Sequence, residues 1–165
     1  MKKRVAVAFT GPSNSGKTTL IQKLSTHLIQ THKIAIIKND PKDKAEFDVV
    51  GKDSHKFSQT GAEVVITSPT RTTYFSQTSK SLDEIVSMLS DFDILLVEGL
   101  KNLPLPRIAI FRNTIDESYF QCSEAIAIDE SICLDDYLIP SHITLLNLND
   151  ITQIIQWIHT HAKDI

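Results

Sequence analysis

The sequence predicts an α/β fold: a three-layer sandwich with a mainly parallel sheet, extended by added edge strands or a hairpin. Three observations predict it. Apolar runs such as Val5–Phe9 and Ile94–Val97 are continuous rather than alternating, as strands covered on both faces require. Between such runs lie stretches with apolar residues at 3.6-residue spacing, so helices alternate with strands. Finally, the first run passes through Gly11-Pro12-Ser13-Asn14-Ser15-Gly16-Lys17-Thr18 directly into a helical pattern.

That stretch reads G-x-x-x-x-G-K-S/T, a phosphate-binding loop in its strand–loop–helix context. Gly11 and Gly16 permit backbone angles and close approaches that a side chain would block. The loop's N–H groups then face phosphate oxygens, backed by the positive end of the following helix. Lys17 is expected to reach the β- and γ-phosphates, and the Thr18 hydroxyl to coordinate magnesium. The expected nucleotide contacts therefore run through Gly11, Pro12, Ser13, Asn14, Ser15, Gly16, Lys17, Thr18 and Thr19. The fold class is that of the P-loop NTPases.

Length and composition narrow the rest. At 165 residues the chain makes one nucleotide-binding domain, 1–165, with a substantial core. The 41% hydrophobic and 22% charged content is that of a soluble globular protein. A net charge of −3 gives no reason to expect nucleic-acid binding. Cys122 and Cys133 have neither zinc spacing nor a disulfide framework, which fits a reducing cytoplasm. Met1-Lys2-Lys3-Arg4 and the apolar run behind it superficially resemble a signal peptide, but that run is too short and leads into the phosphate loop. No stretch approaches the roughly 18 apolar residues of a membrane span. A cytoplasmic protein without membrane partners is expected.

Taken in order, the first strand is Val5–Phe9 and the first helix Lys17–Gln30, with Leu20, Ile21, Leu24, Leu28 and Ile29 as its apolar stripe. Lys33–Ile37 is a second strand, ending at Lys38-Asn39-Asp40-Pro41. Polar residues at the carboxyl end of a parallel strand lie beside the ligand crevice. Residues 41–50 lack a period and read as a surface loop, either responsive to the γ-phosphate or a plain solvated connection. A short helix follows within Gly51–Ala62, stopped by Gly61. Val64–Thr67 and Thr72–Phe75 flank Ser68-Pro69-Thr70 and predict a hairpin or adjacent strands, added antiparallel to one edge of the sheet. Ser81-Leu82-Asp83-Glu84 is a capping signature, with Ile85, Met88 and Leu89 turned inward. Ile94–Val97 should lie beside the first strand at the sheet centre. After the stiff Asn102–Pro106 loop come strands Arg107–Arg112, Ala125–Ile128 and Ile143–Leu146. A last helix, capped by Asn149 or Asp150, aligns Ile151, Ile154, Ile155 and Ile158.

A phosphate loop needs an acid at a neighbouring strand end to hold magnesium. Asp93 stands at the beginning of its strand, ~16 Å from the carboxyl end. Glu98 stands at that end, on the edge of the phosphate loop, and is the preferred acid. Gly99 would let the backbone approach the γ-phosphate. Asp40 also ends a strand and is a second candidate for the metal, with a turn role before Pro41 at even weight. Lys38, Lys52 and Lys101 could each supply charge to phosphate, Lys101 most plausibly because it follows Glu98-Gly99. His55 and the pair His159 and His161 lack a ligating arrangement. The guanine motif N/T-K-x-D is absent. Asp129, after Ala125–Ile128, stands where a carboxylate could accept from guanine amines, against the alternative of a cap or turn.

Gly11–Thr18, Gly51-Lys52-Asp53-Ser54, Gly61-Ala62, Leu96-Val97-Glu98-Gly99-Leu100-Lys101 and Pro106–Arg112 occur in this order. Together they resemble the MobB family of molybdopterin-guanine dinucleotide biosynthesis adapter proteins, and the likeness extends into Leu146–Ile151. The resemblance implies a GTP- and Mg2+-binding protein with at most slow hydrolysis. It implies an accessory role beside MobA, the guanylyltransferase that joins GMP to molybdopterin, and possible contact with molybdopterin itself. It also implies homodimers assembled through the added strands. By position, Lys17 and Thr18 keep phosphate and magnesium roles, and Glu98 remains the acid near magnesium. Two departures stand out. The chain has Lys38-Asn39-Asp40-Pro41-Lys42 where the family often has Lys-His and further histidines, and Leu100 where it has Phe.

The competing class is a P-loop small-molecule kinase. Such an enzyme wants an arginine-rich lid around the transferred phosphate. Arg4, Arg71, Arg107 and Arg112 are scattered, which favours the adapter. A metal-insertion GTPase would want a Cys/His motif that the sequence lacks.

Overall fold

The structure, a computed structural model, describes residues 3–89 and 91–165. Met1 and Lys2 of the basic start, and Ser90, lie outside the described residues. The chain divides into two compact units, Met1–Asn39 with Asp91–Ile165, and Asp40–Ser90.

The first unit is built on a seven-stranded sheet. Its strands are β1 (Val5–Thr10), β2 (Ile34–Lys38), β5 (Ile94–Glu98), β6 (Arg107–Phe111), β7 (Ala125–Ile128), β8 (Thr144–Asn147) and β9 (Lys163–Asp164). The order is β2-β5-β1-β6-β7-β8, all parallel. The two-residue β9, which carries no sequence signal, pairs antiparallel with Val5 and Ala6 at the amino end of β1. It fits there because β6 joins β1 only from Ala8 onward.

Alternation across the pleat splits the buried strand residues into two layers. Val7 and Phe9, Ile94 and Leu96, and Ile108 and Ile110 pack with helices α1 (Lys17–Leu28) and α4 (Ile151–His161). Leu20, Ile21, Leu24 and Leu28 form the buried stripe of α1, as their spacing predicts. Leu24 is wholly buried, and truncating it to Ala would cost about 2–5 kcal/mol. Ile29 lies past the last helical turn and is 59% exposed, so it does not belong to the stripe. On the opposite layer, Ala109, Phe111 and Ile126 pack with Ile115 and with Phe120 from the 3₁₀ turn Glu117–Cys122. Asp150 caps α4 by accepting from the Gln153 N–H.

The second unit contains α2 (Asp53–Ser58), strands β3 (Val64–Thr67) and β4 (Thr72–Phe75), and α3 (Leu82–Met88). The expected hairpin forms, with Val64 opposite Phe75 and Thr67 opposite Thr72. It is a separate two-stranded sheet rather than an addition to the main sheet's edge. The main sheet's own edge strand β2 carries Ile36 nearly half exposed. The Ser81 capping box is present in full. Met88, expected to turn inward, is 50% exposed, because the seven-residue α3 ends there. Residues 41–50 contain no helix or strand.

Candidate functional site

Parallel pairing brings the strand ends to one edge. Lys38 is in register with Glu98, and Glu98 with Phe9; across β1, Phe111 is in register with Ile128 and Ile128 with Asn147. The residues just past these positions therefore share the carboxyl edge, where α/β sheets bind ligands. They are the phosphate loop, Gly99, Arg112 and Asp129.

The loop is shaped by its two glycines. At Gly11, φ is +136° and an added Cβ would lie 2.4 Å from the Ile110 carbonyl oxygen, so only glycine lets the loop leave β1 beside β6. Gly16 caps α1 in the left-handed region, without a side-chain hydrogen bond to the first turn and without an acidic residue there. The opening N–H groups of α1 thus keep their capacity for an anion. The Lys17 ammonium folds back over the loop, donating to the carbonyl oxygens of Gly11 at 3.1 Å and Pro12 at 2.6 Å. Partial burial lowers its pKa, Glu98 opposes that shift, and the Lys38 ammonium adds to it. Ser15 is buried, and its hydroxyl has no hydrogen-bond partner among the described residues. Ser13, Asn14 and Thr19 are exposed, with Asn14 at φ +63°.

Thr18 and Glu98 meet. The Thr18 hydroxyl donates to Glu98 Oε2 at 3.4 Å, across eighty positions of sequence. These two oxygens are of the kind magnesium takes, beside a lysine and the opening N–H groups of α1, so the donor set fits that ion. Asp93 stands at the other end of β5, buried, and accepts from the Lys33 N–H at 2.8 Å. Gly99 takes φ +89°, and an added Cβ would touch Asn39 Cβ at 3.0 Å, so its lack of a side chain serves this crossing of strand ends.

Other expected residues have partners of their own. The Lys101 ammonium lies 3.7 Å from the Tyr119 ring centroid and lines a cavity of about 750 Å³ with Pro104, Glu124 and Lys163, near the amino ends of β6 and β7. Asp40 belongs to the second unit, where its carboxylate accepts from the N–H groups of Lys42, Lys44 and Ala45. Lys52 is exposed in that unit too. Asp129 Oδ2 lies 3.4 Å from Arg112 Nε, and its Oδ1 accepts from both the backbone N–H and the hydroxyl of Ser131. The Ser131 hydroxyl above all, then its N–H and Arg112, hold this carboxyl below the usual range.

Two arginines were not singled out by sequence reasoning. Arg107 is fully buried and donates to the carbonyl oxygens of Gly99, Leu100, Lys101 and Leu103, clamping the strap behind Glu98. Arg112 follows the last residue of β6, and its guanidinium lies against Gly16. The strand-end rule that selects Glu98 would have found Arg112 as well.

A mainly parallel sheet, flanked by helices and carrying a phosphate loop at the end of its central strand β1, defines the P-loop NTPase class of α/β proteins. Within that class the chain belongs to the MobB family: the model of "Molybdopterin guanine dinucleotide synthesis protein B" matches residues 6–130. The molybdopterin-guanine dinucleotide biosynthesis adapter protein of Haemophilus influenzae is 31% identical over 166 residues, covering 93% of this chain and 89% of that protein. A crystal structure of molybdopterin-guanine biosynthesis protein B superposes with a TM-score of 0.71 at 24% identity, covering 94% of this chain and 99% of that one. The structure of Bacillus subtilis MobB superposes with 0.72 at 19% identity, covering 96% and 98%. At these identities the superpositions establish a shared fold.

Proposed function

We propose that the chain is a GTP-binding adapter of molybdopterin guanine dinucleotide synthesis, serving a MobA-type guanylyltransferase, with slow or no hydrolysis of its own. The observation that carries this reading is the meeting of Thr18 and Glu98 at the mouth of the phosphate loop, in a chain of the MobB family. In this reading residues 1–165 act as one nucleotide-binding domain. Lys17 leaves the carbonyl oxygens of Gly11 and Pro12 for the phosphates, and the loop and α1 N–H groups bind the phosphate oxygens. Thr18 and Glu98 hold magnesium, which neutralises phosphate charge when bound. Molybdopterin is a further ligand in this reading.

A cytoplasmic homodimer is part of the same proposal. It is supported by apolar side chains exposed in the second unit, among them Phe47 and Val50, each more than 80% exposed. Among the described residues no helix is long and apolar enough to cross a membrane.

Calorimetric titration of GTP, GDP and ATP with magnesium, with and without the guanylyltransferase, tests this function. GTP preference and a change in the partner's activity are expected. ATP preference without any effect on the partner would overturn the adapter reading, and rapid transfer from ATP to a small acceptor would replace it with the kinase.

A further inference from the structure

We propose that Arg112 is a nucleobase platform: its guanidinium stacks on the purine of the bound nucleotide, and Asp129 is the positioning residue that holds it there. The proposal rests on the phosphate-loop reading above and deepens it at the base end of the same site.

Three observations carry it. The first is place. Arg112 leaves β6 at the carboxyl edge, next to β1, whose Thr10 is in register with Ala109 of β6. An added Cβ on Gly16 would meet Arg112 Nε at 3.3 Å and its Cζ and Nη2 at 3.6 Å. The flank of the guanidinium therefore packs directly against the phosphate loop, where a nucleotide held by its phosphates must pass.

The second is which of the two paired groups faces outward. The Arg112 side chain is 42% exposed and that of Asp129 only 12%. The carboxylate is the recessed partner, and both its oxygens are engaged by the protein. Oδ2 faces Arg112 Nε, and Oδ1 takes two donors from Ser131. The Ser131 hydroxyl also accepts from the Asn113 N–H at 2.8 Å, tying Asp129 to the residue after Arg112. A carboxylate so occupied is poorly placed to accept two base amines. It is well placed to fix one rotamer of its arginine.

The third is chemistry. A guanidinium is planar and weakly hydrated, and it stacks on aromatic faces where an ammonium does not. Every purine has such a face, so Arg112 contributes to GTP and ATP alike. Selection between them must come from other groups on the edge. This accounts for base binding without the N/T-K-x-D sequence.

The test compares magnesium complexes of GTP, ATP and inorganic tripolyphosphate, titrated calorimetrically against wild type, R112A, R112K, D129N and the R112A/D129N pair. Tripolyphosphate carries the phosphates and no base. R112A should weaken GTP and ATP about tenfold and leave tripolyphosphate unchanged, which also shows the variant is folded. R112K should fall between wild type and R112A. D129N should weaken both nucleotides less than R112A does, and the double variant should bind no worse than R112A alone. Equal loss for tripolyphosphate would make Arg112 a phosphate ligand and overturn the proposal, as would unchanged nucleotide binding in R112A. A switch of D129N from GTP to xanthosine triphosphate, with R112A neutral, would assign base reading to Asp129 instead. Wild type that binds none of the three probes would refute the phosphate-loop reading and this proposal with it. Binding by wild type with R112A unaffected refutes only the latter.

Discussion

The Thr18 hydroxyl donates to the Glu98 carboxylate, joining the first turn of α1 to the carboxyl end of β5. Asp93, five residues earlier on the same stretch, instead accepts from the Lys33 backbone and braces the amino end of β2. The two acids therefore separate by role. E98Q should weaken magnesium-dependent GTP binding by about 10–100-fold, as loss of a metal-site carboxylate does. D93N should cost stability, of order 1 kcal/mol, and leave nucleotide affinity intact. Calorimetric titration with and without magnesium reads both. Equal effects on binding would sink the assignment of Glu98.

Lys17 rests on two carbonyl oxygens of its own loop. Gly11 and Pro12 are only partly buried, so water can replace the ammonium at their carbonyl oxygens and K17A should fold normally. A charge-assisted bond to phosphate is worth about 1.5–3 kcal/mol, so triphosphate affinity should fall at least tenfold. Tight binding by a folded K17A would show that the phosphates are held elsewhere.

Arg107 is a structural clamp, and its loss should appear in unfolding rather than in binding chemistry. R107L leaves the carbonyl oxygens of Gly99, Leu100, Lys101 and Leu103 without their buried donor. The expected cost is about 3–5 kcal/mol in urea unfolding. A loss below about 1 kcal/mol would mean that water replaces the guanidinium readily.

Asp129 predicts a pH dependence. Its folded carboxyl is held below the usual value by the Ser131 hydroxyl first, then the Ser131 N–H and Arg112. A depressed carboxyl stabilises the fold above its unfolded pKa of about 3.9, and that contribution disappears as pH falls through the folded value. The stability gap between wild type and D129N should therefore be constant near neutrality and shrink below about pH 4. A gap unchanged down to about pH 3 would contradict the lowered pKa.

The sequence by itself determined the phosphate loop, the parallel strands β1, β5, β6 and β7, and the faces of α1 and α4. Each of these rests on local signals. Glycines at fixed offsets from Lys17, continuous apolar runs and 3.6-residue spacing act within a dozen residues, and backbone sterics translate them directly into structure. Local rules also selected Glu98, because a strand's carboxyl end is readable once its direction is known. Only the tertiary structure decided the rest. The β3–β4 hairpin could have paired with any free edge, and it forms its own two-stranded sheet. The two-residue β9 has no period to detect and exists because β6 leaves the amino end of β1 uncovered. Arg107 and Arg112, five residues apart at the start and just past the end of β6, look equivalent in sequence. One is buried under a strap of carbonyl oxygens, and the other lies at the open edge between Gly16 and Asp129. What separates them is which end of a parallel strand each occupies and what the neighbouring strands bring there, a relation that lies in no local stretch of the chain.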